Sequence, residues 1–360
     1  MTPEFSPTGG TDPTLDTLLL PLDTRALALA ADAPVLFLRA RFGAALCHRP
    51  LQQWTFEQSF RPHADALERA GLAVGAAAPD ARYALVAALP PRQREEARAL
   101  LARAVLHAAD GGVVLASVAN NEGARSCAAD LERLAGPLST LSKHKCRAFW
   151  TQPLRAGAID QALCAEWLAL DAPRPVAGGF VSRPGLFAWD RVDPASALLA
   201  GQLPATLAGR VADLGGGYGY LSAHLLRACP QVTHVDLYEA EARALEPAQV
   251  NLEAARDARP HDAAAAGFAL HWHDVTRGLS QRFDAIVSNP PFHVGRADRP
   301  QLGRAFIHAA ADALLPDGVL WLVANRHLPY EKALAERFAS FRVAAVGSGF
   351  KVFETRGVHA

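Results

Sequence analysis

The 360-residue sequence predicts an α/β fold made of two tandem units, each a mostly parallel sheet wrapped by helices, and three observations carry that expectation. The first is internal similarity. Tyr83-Ala84-Leu85-Val86-Ala87-Ala88-Leu89-Pro90-Pro91 matches Phe283-Asp284-Ala285-Ile286-Val287-Ser288-Asn289-Pro290-Pro291, and Asp110-Gly111-Gly112-Val113-Val114-Leu115 matches Asp317-Gly318-Val319-Leu320 at nearly the same spacing. Lys145 and Phe149 match Lys351 and Phe353 further on. Matches held in one order define a duplicated architecture. The second observation is that short apolar, β-branched runs alternate with helix-length segments in the second half, the pattern of a parallel sheet covered on both faces. The third is Gly347-Ser348-Gly349, a gap too short for a crossover helix, which makes the last two strands an antiparallel hairpin.

Taken in order, residues 1–14 are rich in Thr, Pro and Gly and read as a disordered tail. The first copy spans 15–155, a linker 156–178, and the second copy 179–360. Strands of the second copy are expected at 210–214, 232–238, 268–271, 283–288, 319–323, 341–346 and 350–354. The first copy has Leu89 where the second has Asn289, and its strand Val35-Leu36-Phe37-Leu38 runs into Arg39-Ala40-Arg41-Phe42-Gly43 with no glycine-rich turn. It reads as a scaffold or substrate-binding copy without catalysis, since fold and function are separable.

Size and composition agree with two cores: half of the residues are apolar and a fifth charged, the ordinary globular mix. Lysine plus arginine equals aspartate plus glutamate at 36 each, so bulk charge does not drive nucleic-acid binding and any such contact is local. Cys47, Cys127, Cys146, Cys164 and Cys229 are scattered and never form a CxxC pair, which argues against a disulfide framework or a zinc site. No apolar run approaches the roughly 20 residues of a membrane span, and the first residues lack the pattern of a secretory signal. A cytoplasmic protein without a metal is expected.

Val211-Ala212-Asp213-Leu214-Gly215-Gly216-Gly217-Tyr218-Gly219-Tyr220-Leu221 reads as strand, glycine turn and helix start. Such a turn lets a ligand approach backbone N–H groups at a helix N-terminus. About 20 residues on, Glu239 closes the next strand, where a carboxylate can accept both ribose hydroxyls of a nucleoside cofactor. Counting from Gly215 and Gly217 places Tyr220 where a dinucleotide fingerprint needs glycine, which disfavours a nicotinamide cofactor. Asp213 before the turn suits a ligand bearing an ammonium group. Asp274, after the third strand, is a candidate acceptor for an adenine amine.

Asn289-Pro290-Pro291-Phe292 ends the apolar run Phe283-Asp284-Ala285-Ile286-Val287-Ser288. An amide, two prolines and a ring make a rigid polar ledge beside a flat apolar face, suited to a planar group whose NH2 is to react. If the Asn289 oxygen and the Pro290 carbonyl each accept one N–H, positive charge building on the nitrogen is stabilised. Phe292 would stack on the substrate plane, and the prolines deny alternative backbone geometries. Methyl transfer onto an exocyclic or amide nitrogen follows.

These residues carry a resemblance to a family. The tandem plan, the 213–219 turn, Asn289-Pro290-Pro291-Phe292 and the closing Phe350-Lys351-Val352-Phe353 resemble the bacterial ribosomal RNA guanine-N2 methyltransferases, whose N-terminal copy is inactive. The resemblance implies two Rossmann-like class I methyltransferase domains with a seven-stranded sheet, S-adenosylmethionine as cofactor, and ribosomal RNA or a ribosomal subunit as partner, with 16S RNA ahead of 23S. It also implies that Pro184-Gly185-Leu186-Phe187 closes over the cofactor. Relatives often carry cysteine at Gly216, a difference expected to matter little. Arg296, Arg299 and Arg304, with Lys143, Lys145 and Arg147 in the first copy, are candidate RNA contacts for a flipped or single-stranded base. A monomer is expected. Adenine N6, a glutamine amide, or a silent RNA-binding assembly role are the alternatives.

Overall fold

The computed structural model describes residues 12–155, 157, 159–260, 263, 265–291, 293–294, 297–298 and 300–359. The chain divides into two compact units that meet in sequence between Ala172 and Pro173. The first unit runs α1 (Pro13–Asp23), β1 (Val35–Leu38), β2 (Trp54–Glu57), α2 (Arg61–Arg69), β3 (Tyr83–Ala88), α3 (Arg94–His107), β4 (Ala108–Ala119), α4 (Ala124–Ala135), β5 (Leu138–Lys143), β6 (Cys146–Thr151) and α5 (Gln161–Ala169). Its sheet has the order β2-β1-β3-β4-β6-β5, parallel up to β4 and antiparallel beyond it.

The second unit begins with a short antiparallel pair, β7 (Arg174–Val176) and β8 (Phe180–Ser182). There follow α6 (Pro194–Ala200), β9 (Ala208–Leu214), α7 (Tyr220–Ala228), β10 (Gln231–Glu239), α8 (Leu245–Asp257), β11 (Gly267–Trp272), β12 (Phe283–Ser288), the two-residue strands β13 (His293–Val294) and β14 (Ala297–Asp298), α9 (Pro300–Ala313), β15 (Leu314–Asn325), α10 (Glu331–Arg337), β16 (Phe338–Gly347) and β17 (Phe350–Val358). The main sheet has seven strands in the order β11-β10-β9-β12-β15-β17-β16, and β16 and β17 form the expected antiparallel hairpin. One face packs Leu199 of α6, Leu221 and Leu225 of α7 and Leu252 of α8 on Val211, Val235 and Val287. The other packs Phe306 and Ile307 of α9 and Leu334 of α10 on Ala212, Ile286 and Leu320. Strands buried on both faces explain the near-continuous apolar runs.

The duplication extends to irregularities. The β3–β4 register shifts between Tyr83 and Leu85, and the β12–β15 register shifts between Phe283 and Ala285. The Thr151 hydroxyl accepts Val114 N at 3.1 Å, and the Thr355 hydroxyl accepts Leu320 N at 3.2 Å. This alignment corrects one correspondence read from sequence: with Phe149 opposite Phe353, Arg147 is the equivalent of Lys351. Lys145 instead lies in the β5–β6 turn, where Gly349 lies in β16–β17. In place of β11 the first unit keeps a single bridge, Phe56 to Val74.

The boundaries differ from the sequence reading in two places. Asp12 caps α1 through Thr14 N and Leu15 N, and Leu15, Leu18 and Leu19 are fully buried, so the helix begins inside the expected tail. The expected linker 156–178 contains α5, whose Cys164 and Trp167 are buried in the first unit, with the Arg98 guanidinium 4.9 Å from the Trp167 ring. It also contains β7, which pairs within the second unit. Among the described residues no helix is long and apolar enough to cross a membrane.

Candidate functional site

The site of the second unit lies where the sheet order reverses. β9 is central, β10 departs to one side and β12 to the other, so a crevice opens at their C-terminal ends, the position where open α/β sheets take ligands. Leu214 is level with Tyr238 on one side and Ser288 on the other, and the Ser288 hydroxyl donates to Leu214 O at 2.8 Å. That bond holds the glycine turn and the Asn289 ledge on adjacent strand ends.

Gly215, Gly217 and Gly219 all have positive φ, a conformation that L side chains avoid. The turn is pinned by Tyr238 O, which accepts Gly215 N at 2.8 Å and Gly216 N at 3.2 Å. Nothing lies within 4 Å of where a Cβ on Gly217 would stand, so this part of the turn faces open space. Glu239 Oε2 accepts Gly217 N at 2.9 Å and its Oε1 accepts Glu241 N at 2.8 Å. Burial raises the Glu239 pKa, and those backbone donors oppose the rise. The carboxylate therefore keeps further acceptor capacity at the edge of the open cradle, the chemistry a ribose diol needs.

Gly216 departs from the expectation that a side chain there matters little. A Cβ would lie 2.5 Å from Leu237 Cγ and 3.1 Å from Asp213 Oδ2, so the position is closed by packing. Asp213 has a structural partner that the sequence did not show. It is fully buried, and Oδ2 accepts Ser222 N at 3.0 Å and the Ser222 hydroxyl at 2.7 Å, so it braces the first turn of α7. Oδ1 is buried without a partner among the described residues.

Asp274 stands after β11, 8% exposed, and its Oδ1 accepts Thr276 N at 3.0 Å and the Thr276 hydroxyl at 2.7 Å. Beside it the Trp272 indole N–H reaches back to Ala240 O at 2.8 Å, so this side chain leans over the end of β10. Phe187 projects from a loop with 62% of its surface exposed, while its neighbour Leu186 is buried. Arg243 Nη2 donates to Pro184 O at 2.8 Å and ties that loop to the segment after Glu239.

Asn289 follows β12 directly. Its Nδ2 donates to Asp193 Oδ2 and to the Ser196 hydroxyl, each at 2.9 Å, and its Oδ1 is buried with no partner among the described residues. An unpaired buried acceptor is costly, and it supplies what a substrate N–H would satisfy. Pro290 is buried and Pro291 exposed. Phe292, Arg296 and Arg299 lie outside the described residues. Arg304 is exposed on α9; in the first unit Lys143 and Lys145 are exposed and Arg147 is half-buried on the β5–β6 hairpin. Asp193, Ser196 and Tyr218, whose hydroxyl donates to Arg191 O at 3.0 Å, were missed in sequence. The available signal was Asp193-Pro194-Ala195-Ser196, a helix-start pattern.

A seven-stranded sheet of this order, with an open glycine cradle, an acidic strand end and an amide ledge, defines a class I S-adenosylmethionine-dependent methyltransferase. Comparison with known proteins agrees. Residues 177–354 match the family described as Methyltransferase small domain. Ribosomal RNA small subunit methyltransferase C of Shewanella pealeana is 30% identical over 266 residues, 73% of this chain and 74% of that protein. Ribosomal RNA large subunit methyltransferase G of Alcanivorax borkumensis is 37% identical over 176 residues, 48% of this chain and 43% of that one. The solved structure of the T. thermophilus 16S rRNA N2 G1207 methyltransferase, in complex with AdoMet and guanosine, superposes with a TM-score of 0.78 at 27% identity, covering 97% of this chain and 93% of that one. The chain belongs to the ribosomal RNA small subunit methyltransferase C family.

Proposed function

We propose that this enzyme methylates the exocyclic N2 amine of a guanine in small-subunit ribosomal RNA, with Asn289, Pro290, Pro291 and Phe292 at the reacting amine. The observation that carries the reading is Asn289 Oδ1 at the end of β12, buried with no partner among the described residues. The T. thermophilus relative, solved with guanosine, supports a guanine as the planar amine. S-adenosylmethionine, when bound, supplies a methyl group on a sulfonium. Gly215, Gly217 and Gly219 would leave room for it, Glu239 would accept the ribose hydroxyls, Asp274 the adenine amine, and Phe187 would cover the cradle.

Asn289 Oδ1 accepts one N–H of the substrate and the Pro290 carbonyl the other. The nitrogen lone pair is thereby left free of both bonds, and charge developing on nitrogen meets two fixed dipoles. No strong base is required, because the amine's proton becomes acidic once the nitrogen is cationic and leaves to water. Asp213 acts one layer below, through Ser222. Lys143, Lys145 and Arg147, with Arg296, Arg299 and Arg304, would contact RNA phosphates. The β5–β6 turn supports this for the first unit, since His144 and Lys145 take φ of 50° and 59° where the second unit has Ser348 and Gly349. A strained, exposed turn that carries Lys145 fits a functional role. We further propose that the enzyme works in the cytoplasm as a monomer.

Methyl transfer from labelled S-adenosylmethionine to purified small and large ribosomal subunits, followed by nucleoside analysis, tests the proposal. N2-methylguanosine in small-subunit RNA is expected. Label in adenine or in protein, or no transfer at all, would overturn it.

A further inference from the structure

We propose that Asp193 and Ser196 are positioning residues that hold the Asn289 amide with its oxygen toward the substrate, an assignment that rests on the role given to Asn289 above. The amide N and O of an asparagine are told apart only by their partners. Here one partner decides: a carboxylate accepts and does not donate, so the group facing Asp193 Oδ2 at 2.9 Å is the NH2. The Ser196 hydroxyl, also at 2.9 Å, takes the second N–H. With both N–H groups used, rotation of the amide would turn its oxygen onto a carboxylate oxygen, which charge forbids.

The support is itself fixed. Asp193 is the N-cap of α6, and the same Oδ2 that accepts Asn289 accepts Ser196 N at 2.8 Å. Upstream, the Tyr218 hydroxyl of the glycine turn donates to Arg191 O at 3.0 Å, and Asn251 Nδ2 donates to both Val181 O and Tyr218 O, at 2.8 and 2.7 Å. The segment 181–196 thus passes from α8 to the glycine turn to the amide ledge. It carries the substrate-side amide on the same support as the cofactor-side turn, which is the preorganisation an electrostatic site needs.

The experiment compares Asp193→Asn, Ser196→Ala, Asn289→Asp and the exchange pair Asp193→Asn with Asn289→Asp, measuring kcat, KM for the RNA, cofactor Kd by calorimetry, and Tm. In Asp193→Asn either an oxygen or an NH2 can stand where Oδ2 meets both Ser196 N and Asn289, so the charge that fixes the Asn289 amide is gone. A fall in kcat of about tenfold is expected, with KM, Kd and Tm close to wild type. Asn289→Asp sets two carboxylates face to face and abolishes transfer. In the exchange pair the amide now at position 193 donates its NH2 to the carboxylate now at position 289 and leaves one carboxylate oxygen free, at the cost of the α6 cap on Ser196 N, so at least tenfold recovery over Asn289→Asp is expected together with a lowered Tm. The inference is overturned if Asp193→Asn and Ser196→Ala both keep kcat within twofold, if the losses follow Tm alone, or if the exchange pair recovers nothing. Loss in Asn289→Ala with full activity in both Asp193→Asn and Ser196→Ala sinks this inference and spares the reading of Asn289; full activity in Asn289→Ala sinks that reading.

Discussion

Gln58 of the first unit occupies the place that Glu239 holds in the second. Gln58 directly follows β2 and Glu239 is the last residue of β10, the strands beside the glycine-turn strand and its counterpart, and each accepts the N–H two residues on, from Phe60 and from Glu241, both at 2.8 Å. Glu239 then accepts Gly217 N, whereas Gln58 donates to Ala40 O at 2.6 Å. The turn itself survives: Arg39 has φ of 54° where Gly215 has 74°. Its open space does not, because Arg39 pairs with Glu96 at 2.7 Å and Arg41 with Asp12 at 3.1 Å, all four side chains mostly buried. Toward the turn a donor stands where the second unit has an acceptor, and two mostly buried arginines stand at the counterparts of Gly215 and Gly217.

Glu239→Gln should therefore weaken cofactor binding by about 10- to 100-fold, the range for losing a charge-assisted hydrogen bond. Calorimetric titration checks it. Gln58→Glu should leave the stoichiometry at one cofactor per chain, because the ion pairs still fill the first unit; a second site would contradict this reading of the filled cradle.

Asn289→Ala should lower kcat by about 10²- to 10³-fold, the scale for removing one preorganised dipole from a reacting centre. Its cofactor Kd should stay within twofold, read by the same titration.

Gly216→Ala should cost about 1–3 kcal/mol, as overpacked positions do, since its Cβ meets Leu237 Cγ. Combining it with Leu237→Ala should cost less than the two losses added. Denaturant unfolding of the four proteins would show this, and strict additivity would speak against the contact.

His63 and Asp213 should draw the two units' stabilities in opposite directions with pH. Burial, then the Arg41 and Arg39 charges, lower the His63 pKa from 6.5 to about 3, while burial pushes Asp213 from 3.8 up to about 7 against its Ser222 hydrogen bonds. The histidine's contribution is present above its unfolded value and is lost as pH falls toward its folded one. The aspartate's is present below its unfolded value and is lost as pH rises through its folded one. Acidification from pH 6.5 toward 4 thus weakens the first unit and strengthens the second. Calorimetric scans at several pH values check it: His63→Gln should flatten the first trend and Asp213→Asn the second.

Much of the fold was legible because its signals are local. β3 and β12 match residue by residue, each strand of the second sheet coincides with an apolar run, and the glycine turn declares a backbone shape that few other residues take. Other features were hidden by length or by distance. α5 has only nine residues and two buried side chains, too few for periodicity to separate it from a linker. The Arg39 turn was invisible because no glycine marks it. The Ser222 partnership of Asp213 was hidden for a related reason: an acidic residue before a glycine turn has the same sequence whether it faces a ligand or braces a helix.

By itself the sequence determined the duplication, the strand order's parallel core with its closing hairpin, and the residue types at the ledge, because periodicity and backbone preference act over a few neighbours. Which atom of Asn289 faces outward was decided only by tertiary structure. Its partners Asp193 and Ser196 lie 96 and 93 residues earlier in the chain. Only the packing of α6 beside the end of β12 brings a carboxylate, which cannot donate, against an amide that must choose.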